Sequence, residues 1–148
     1  MNPYIELPKV PLIFRRHDFL VEIARGKRVL HLGCVDAGLL EERFNRGELL
    51  HQRLAMVTAE LWRGFDIEEA GIDFLRAKGF DKLIVGDLSY IDQFAELQQA
   101  EFDLILASEV VEHLQNPGLF FQAIQALMKP GHTHWSSRCP MRSASAPY

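Results

Sequence analysis

The chain is poor in several things that would each announce a special class of protein. Only two of its 148 residues are cysteine, Cys34 and Cys139. That is too few for a disulfide framework and is the usage expected of a reducing, cytoplasmic protein. No apolar run approaches the roughly 20 residues needed to span a bilayer. The opening residues Met1-Asn2-Pro3-Tyr4-Ile5-Glu6 lack the basic and then apolar layout of a secretory signal. Basic residues are not in excess: 16 Lys and Arg face 20 Asp and Glu, for a formal net charge of −4. A dedicated nucleic-acid binder would normally carry a basic stripe, so nucleic acid is an unfavoured partner. What remains, with 48% hydrophobic and 24% charged residues, has the composition of one globular domain.

The order of patterns along the chain is more informative. Residues 1–26 read as a proline-punctuated irregular segment, Pro3 to Pro11, and then a helix from Leu12 that presents Phe19, Leu20, Ile23 and Ala24 on one face and stops at Gly26. Arg15 and Arg16 lie on its exposed side. Four short apolar runs follow, Arg28–Gly33, Leu61–Ile67, Leu83–Val85 and Phe102–Ala107, each too brief for a helix. Helical patterns alternate with them. Asp36 is the expected N-cap of a segment with Leu39, Leu40 and Phe44 inside, and Leu50, Leu54 and Val57 mark the next. Glu68 and Glu69 suit a helix N-terminus that closes at Gly79, Tyr90–Gln99 forms a short helix, and Asn116-Pro117 opens the last one. Strands alternating with helices predict an α/β fold, a Rossmann-like doubly wound parallel sheet.

In such a sheet the crossovers place every strand's C-terminal end on one edge, and ligands bind in the crevice along it. Here those ends carry Gly33-Cys34-Val35-Asp36, Asp66-Ile67, Gly86-Asp87-Leu88 and Ser108-Glu109. Gly33 lets backbone approach a ligand closely. Asp66 can accept from both hydroxyls of a ribose. Asp87 can accept from an exocyclic amine while the Leu88 N–H serves a ring nitrogen. An adenosine with a charged tail satisfies all of these groups.

The run Val29-Leu30-His31-Leu32-Gly33-Cys34 resembles the first motif of the class I S-adenosylmethionine-dependent methyltransferases. Gly64-Phe65-Asp66-Ile67, Gly86-Asp87, Phe102-Asp103-Leu104-Ile105, Glu109-Val110-Val111-Glu112-His113-Leu114 and Leu127-Met128-Lys129-Pro130-Gly131 follow in the family's order. The resemblance covers residues 27–131 and implies S-adenosylmethionine as cofactor. By it, Gly33 lies under the methionine part, Asp66 holds the ribose, and Asp87 and Leu88 frame the adenine; His31, Cys34, Asp36, Ile67 and Ser108 complete the cofactor set. The chain departs from the family at His31, where an acidic residue is usual, and at Val35 and Ala37, where glycines are usual. A neutral imidazole can replace the carboxylate through its acceptor nitrogen or a water.

Methyl transfer asks mainly for alignment, with a base where the acceptor needs one. His113, beside Glu109 and Glu112, is the candidate base, since an imidazole exchanges protons near neutral pH. Against these readings stand ordinary structural ones. His31 could be a satisfied core histidine, His113 a polar residue at a helix start, Cys34 a small packed side chain, and Asp66 and Asp87 turn or cap residues. The acceptor is unidentified, of a small-molecule, glycan or lipid kind. The alternatives are a non-catalytic S-adenosylmethionine-binding fragment and a nicotinamide-dependent oxidoreductase; the second is disfavoured because no G-x-G-x-x-G follows the first strand.

Residues 132–148 change character. They contain no Leu, Ile, Val or Phe and no Asp, Glu or Lys. A fifth parallel strand is due here, and the composition argues against one. His132, His134 and Cys139 fit no standard zinc spacing, so no metal is assigned. A shifted reading frame accounts for the text: suitable codons for His134 to Arg142, read from the third base of His134, spell Leu-Val-Ile-Thr-Val-Pro-Asn-Ala. The nucleotide sequence tests this. The expectation is thus a chain that lacks the C-terminal strands of its fold, leaves its fourth strand as an apolar edge open to self-association, and is weakly stable alone.

Overall fold

A computed structural model describes residues 16–129 and 133–138. The irregular Pro3–Pro11 segment, the helix start at Leu12, Arg15, and the tail beyond residue 138 with Cys139 lie outside the described residues.

Five strands form one parallel sheet: β1 (Arg28–Leu32), β2 (Glu60–Asp66), β3 (Leu83–Val85), β4 (Leu104–Ser108) and β5 (His134–Arg138), in the order β3-β2-β1-β4-β5. The order reverses at β1, so the crevice beside β1 and β4 is the switch point of a doubly wound fold. The helices are α1 (Arg16–Ala24), α2 (Leu40–Asn45), α3 (Leu50–Ala55), α4 (Glu69–Ala77), α5 (Ala95–Gln99) and α6 (Pro117–Leu127). Tyr90–Gln99 is not one helix: a 3-10 segment, Leu88–Gln93, precedes α5.

Strand periodicity sorts the core onto two faces. On one face Leu30, Leu32, Phe65, Ile105 and Ala107 meet Phe120, Ile124 and Leu127 of α6 and Leu97 of α5. On the other, Val29, Leu104 and Leu106 meet Leu20 and Ala24 of α1 and Leu50 and Leu54 of α3. Ile72 and Leu75 of α4 cover Leu83. Alternation puts His31 on the same side as Val29, under α3. At the opposite rim Asp103 accepts from the backbone N–H of Arg28 at 2.7 Å and from its guanidinium at 3.1 Å.

Two further expectations need correction. Asp36 does not cap α2; the residue before that helix is Leu39, which offers no side-chain hydrogen bond, and Asp36 is paired with Arg43 instead. The guanidinium one helical turn inside α2 is a stronger attraction for the carboxylate than the helix's own N–H groups.

The tail also joins the sheet. Leu104 to Ser108 pair in parallel with His134 to Arg138, so β4 is interior and β5 takes the edge. Ladder bonds come from the backbone, which the composition argument overlooked, and a side chain anchors the entry. Thr133, buried, donates its hydroxyl to the Phe102 carbonyl at 2.9 Å and accepts the Lys129 N–H at 3.2 Å, while His134 N–H reaches the Asp103 carbonyl at 3.0 Å. No helix among the described residues is long and apolar enough to cross a membrane.

Candidate functional site

The C-terminal ends of β1 to β4 open into a cleft of about 630 Å³. Each of the ten residues singled out above, His31, Gly33, Cys34, Asp36, Asp66, Ile67, Asp87, Leu88, Ser108 and His113, lines it. They arrive there on five separate loops or strand ends. Glu112 does not line it.

The loop after β1 is built around Gly33, whose φ is +69°. A Cβ there would stand 2.3 Å from Val110 Cγ2, so the glycine is required by the fold as well as by any ligand. Its N–H donates to the Phe65 carbonyl at 2.8 Å, which holds the loop against β2. Cys34 is buried, and burial, with the Asp66 carboxylate beside it, pushes its thiol pKa up. A thiol held protonated in this way is a packing residue and not a nucleophile.

Asp66 is 7% exposed. Its Oδ2 accepts the Val35 N–H at 2.8 Å and its Oδ1 accepts the Glu68 N–H at 3.1 Å. Burial raises its pKa above the ordinary aspartate value, and the backbone donors oppose that rise. The residue lines the cleft. Beside it Ile67 is 68% exposed, an apolar side chain presented to solvent at the lip. Glu68 caps α4 by accepting the Gly71 N–H at 2.7 Å. After β3, Asp87 accepts the Ser89 N–H at 2.8 Å, which orders the turn, and Leu88 is buried beneath it.

The corner after β4 is strained. Glu109 has φ +57°, an unusual backbone conformation for a side chain of its kind, and its carboxylate pairs with Arg16 of α1. His113 follows on an exposed 3-10 turn, Val111–His113, facing the same cleft.

Two histidines escaped the sequence reading. His17 of α1 lines the cleft, half-buried, its pKa lowered first by burial and then by Arg16. His51 of α3 is buried behind His31, with the two Nδ1 atoms 3.1 Å apart. His51 was detectable in principle: it falls with Leu50 and Leu54 on the apolar face of its helix, where a polar side chain needs a partner. The Nε2 of His31 is buried with no hydrogen-bond partner among the described residues.

The charge of the cleft is one-sided. Among the described residues Asp36, Asp66, Glu68, Asp87 and Glu109 line it and no Lys or Arg does, although Arg43 and Arg16 pair with Asp36 and Glu109. Such a site favours a ligand that carries positive charge.

Known proteins carry the same pattern. A family model described as a methyltransferase domain matches residues 9–136. Ubiquinone biosynthesis O-methyltransferases are similar: that of Pseudomonas aeruginosa (strain LESB58) is 32% identical over 108 residues, 72% of this chain and 41% of its own. The Hahella chejuensis protein is 32% identical over 120 residues, 78% of this chain and 45% of its own. The chain thus spans less than half the length of these relatives. An S-adenosylmethionine-dependent methyltransferase from Mesorhizobium loti has the same fold, with a TM-score of 0.51 at 21% identity over 82% of this chain and 51% of that one. The ordered motifs, the strand order and the family match across most of the chain agree: it belongs to the class I S-adenosylmethionine-dependent methyltransferases.

Proposed function

We propose that the cleft binds S-adenosylmethionine and that the chain serves methyl transfer to an oxygen of a small-molecule, glycan or lipid acceptor. The observation that carries this is the charge of the cleft: among the described residues no Lys or Arg lines it, and of its five carboxylates Asp66, Glu68 and Asp87 have no ion pair, while Asp36 and Glu109 are matched by Arg43 and Arg16. S-adenosylmethionine brings a sulfonium and an ammonium, whereas a nicotinamide dinucleotide would set its pyrophosphate against those carboxylates. The hydroxyl as acceptor follows the printed names of the relatives, which are O-methyltransferases.

The residues fit the ligand group by group. Gly33, Cys34 and Asp36 form the loop for the amino-acid tail, with His31 under it. Asp66 accepts from the ribose hydroxyls through its remaining lone pairs. Asp87 and the Leu88 N–H meet the adenine edge, Ile67 covers the ring with apolar surface, and Ser108 closes the side next to β4. When bound, the cofactor supplies an electrophilic methyl group on a good leaving sulfur. His113 takes the proton of the acceptor hydroxyl at its imidazole, and Glu109, paired with Arg16, shapes the wall by which the acceptor enters.

The alternative is a chain that binds the cofactor without turnover. Calorimetric titration with S-adenosylmethionine, S-adenosylhomocysteine and NAD separates the ligand classes: the first two bind and NAD does not. Absence of binding by the first two overturns both readings. Transfer of a labelled methyl group to phenolic or glycan acceptors, lost by about a hundredfold in His113→Asn with unchanged cofactor binding, separates enzyme from binding fragment.

A further inference from the structure

His31 and His51 form a buried pair at the wall of the cleft, and one of its nitrogens, His31 Nε2, has no partner among the described residues. Their rings are nearly parallel, 14° apart, with centroids 5.3 Å apart and the two Nδ1 atoms at 3.1 Å. Both side chains are almost fully buried, at 1% and 2% exposure. A neutral imidazole has one N–H and one lone pair, so one Nδ1 of this contact donates and the other accepts. The choice fixes the state of His31 Nε2, the atom without a partner on a residue that lines the cleft. Burial lowers the pKa of both histidines, that of His51 to about 4, so the pair is neutral near pH 7.

The surroundings decide between the two tautomers. In the other tautomer His31 would turn its one N–H toward the ligand and could not accept from a cationic donor, the kind of ligand the carboxylates of the cleft attract. We propose that His31 donates its Nδ1–H to His51 Nδ1, so that its Nε2 faces the cleft as an unprotonated acceptor for the ammonium group of an amino-acid-bearing ligand. His51 is then a positioning residue: it never touches the ligand, yet it selects the face that His31 shows. The assignment rests on the reading of the cleft as an S-adenosylmethionine site. It gives the usual task of a carboxylate to a neutral relay of two rings.

Two measurements on the full chain test it. In the ligand-free protein with ¹⁵N-labelled histidine, a long-range nitrogen–proton spectrum shows His31 with a protonated Nδ1 and a bare Nε2; a proton on Nε2 overturns the proposal. Calorimetry then compares S-adenosylhomocysteine with its deaminated analogue, which has hydrogen in place of the amino group. In His51→Phe, affinity for the first falls about tenfold while that for the second changes by less than about twofold, one hydrogen bond to a charged group being lost. His51→Asn, whose side-chain oxygen can accept from Nδ1–H, restores most of the difference. Equal weakening of both ligands in both variants assigns His51 a purely structural role and overturns the proposal. If neither compound binds the unaltered protein, the ligand reading fails, and the spectrum still decides the tautomer.

Discussion

Val35 donates its backbone N–H to Asp66 Oδ2 at 2.8 Å, so the carboxylate that ends β2 also holds down the loop leaving β1. With the Glu68 N–H on its other oxygen at 3.1 Å, Asp66 is a staple across two corners of the cleft. Asp66→Asn leaves one oxygen for two donors. We expect the Val35 or Glu68 amide to exchange with solvent faster and affinity for S-adenosylhomocysteine to fall about tenfold or more, the scale of one lost bond to a charged acceptor. Unchanged exchange at both amides would show that the staple is not what orders the loop.

Gly33 and Val110 share a space that admits only one side chain. Gly33→Ala must place a Cβ 2.3 Å from Val110 Cγ2 at φ +69°, and is expected to cost roughly 2–4 kcal/mol of stability. Adding Val110→Ala relieves the collision but not the backbone strain. A double-mutant cycle by urea unfolding therefore gives a favourable coupling between the two substitutions. Strict additivity would contradict this.

Both buried histidines titrate lower in the folded chain than in the unfolded one. The unfolded chain therefore takes up protons first as pH falls below about 6.5, and the stability these groups contribute above that pH is lost toward about pH 4, where folded His51 titrates. The His51 contribution is on the order of 3 kcal/mol across that window. Urea midpoints at pH 7 and pH 5 should differ more for the unaltered chain than for His51→Phe. Equal pH dependence in the two would rule out this source.

Much of the cleft was legible in the sequence for a topological reason. Parallel strands deliver their C-terminal ends to one edge, so Gly33, Asp66, Asp87 and Ser108, far apart in the chain, had to converge once four strands were recognised. What stayed hidden depends on contacts without local pattern. His51 meets His31 across 20 positions, and Asp36 prefers Arg43 to its own helix, neither of which any window of neighbours reveals. The fifth strand was hidden differently: it has none of the Leu, Ile, Val or Phe that mark the other strands, and the pairing with β4 is made by backbone.

Thr133 offers a handle on that strand. Thr133→Val keeps the shape but removes both the bond to the Phe102 carbonyl and the acceptor for Lys129 N–H. We expect a loss of about 1–2 kcal/mol and earlier hydrogen exchange in β5 than in β4. Undiminished protection of β5 would mean that the backbone ladder alone suffices.

The acidic rim of the cleft has a kinetic meaning. Two of its acids, Asp36 and Glu109, are matched by Arg43 and Arg16; Asp66, Glu68 and Asp87 have no such match among the described residues, and they hold a cation more firmly than a neutral body of the same shape. A reaction that discharges its bound cation therefore loosens its own grip as it finishes, and the spent ligand departs without any part of the chain having to open. Added salt would blunt both halves of that cycle, slowing capture and narrowing the gap between incoming and outgoing ligand.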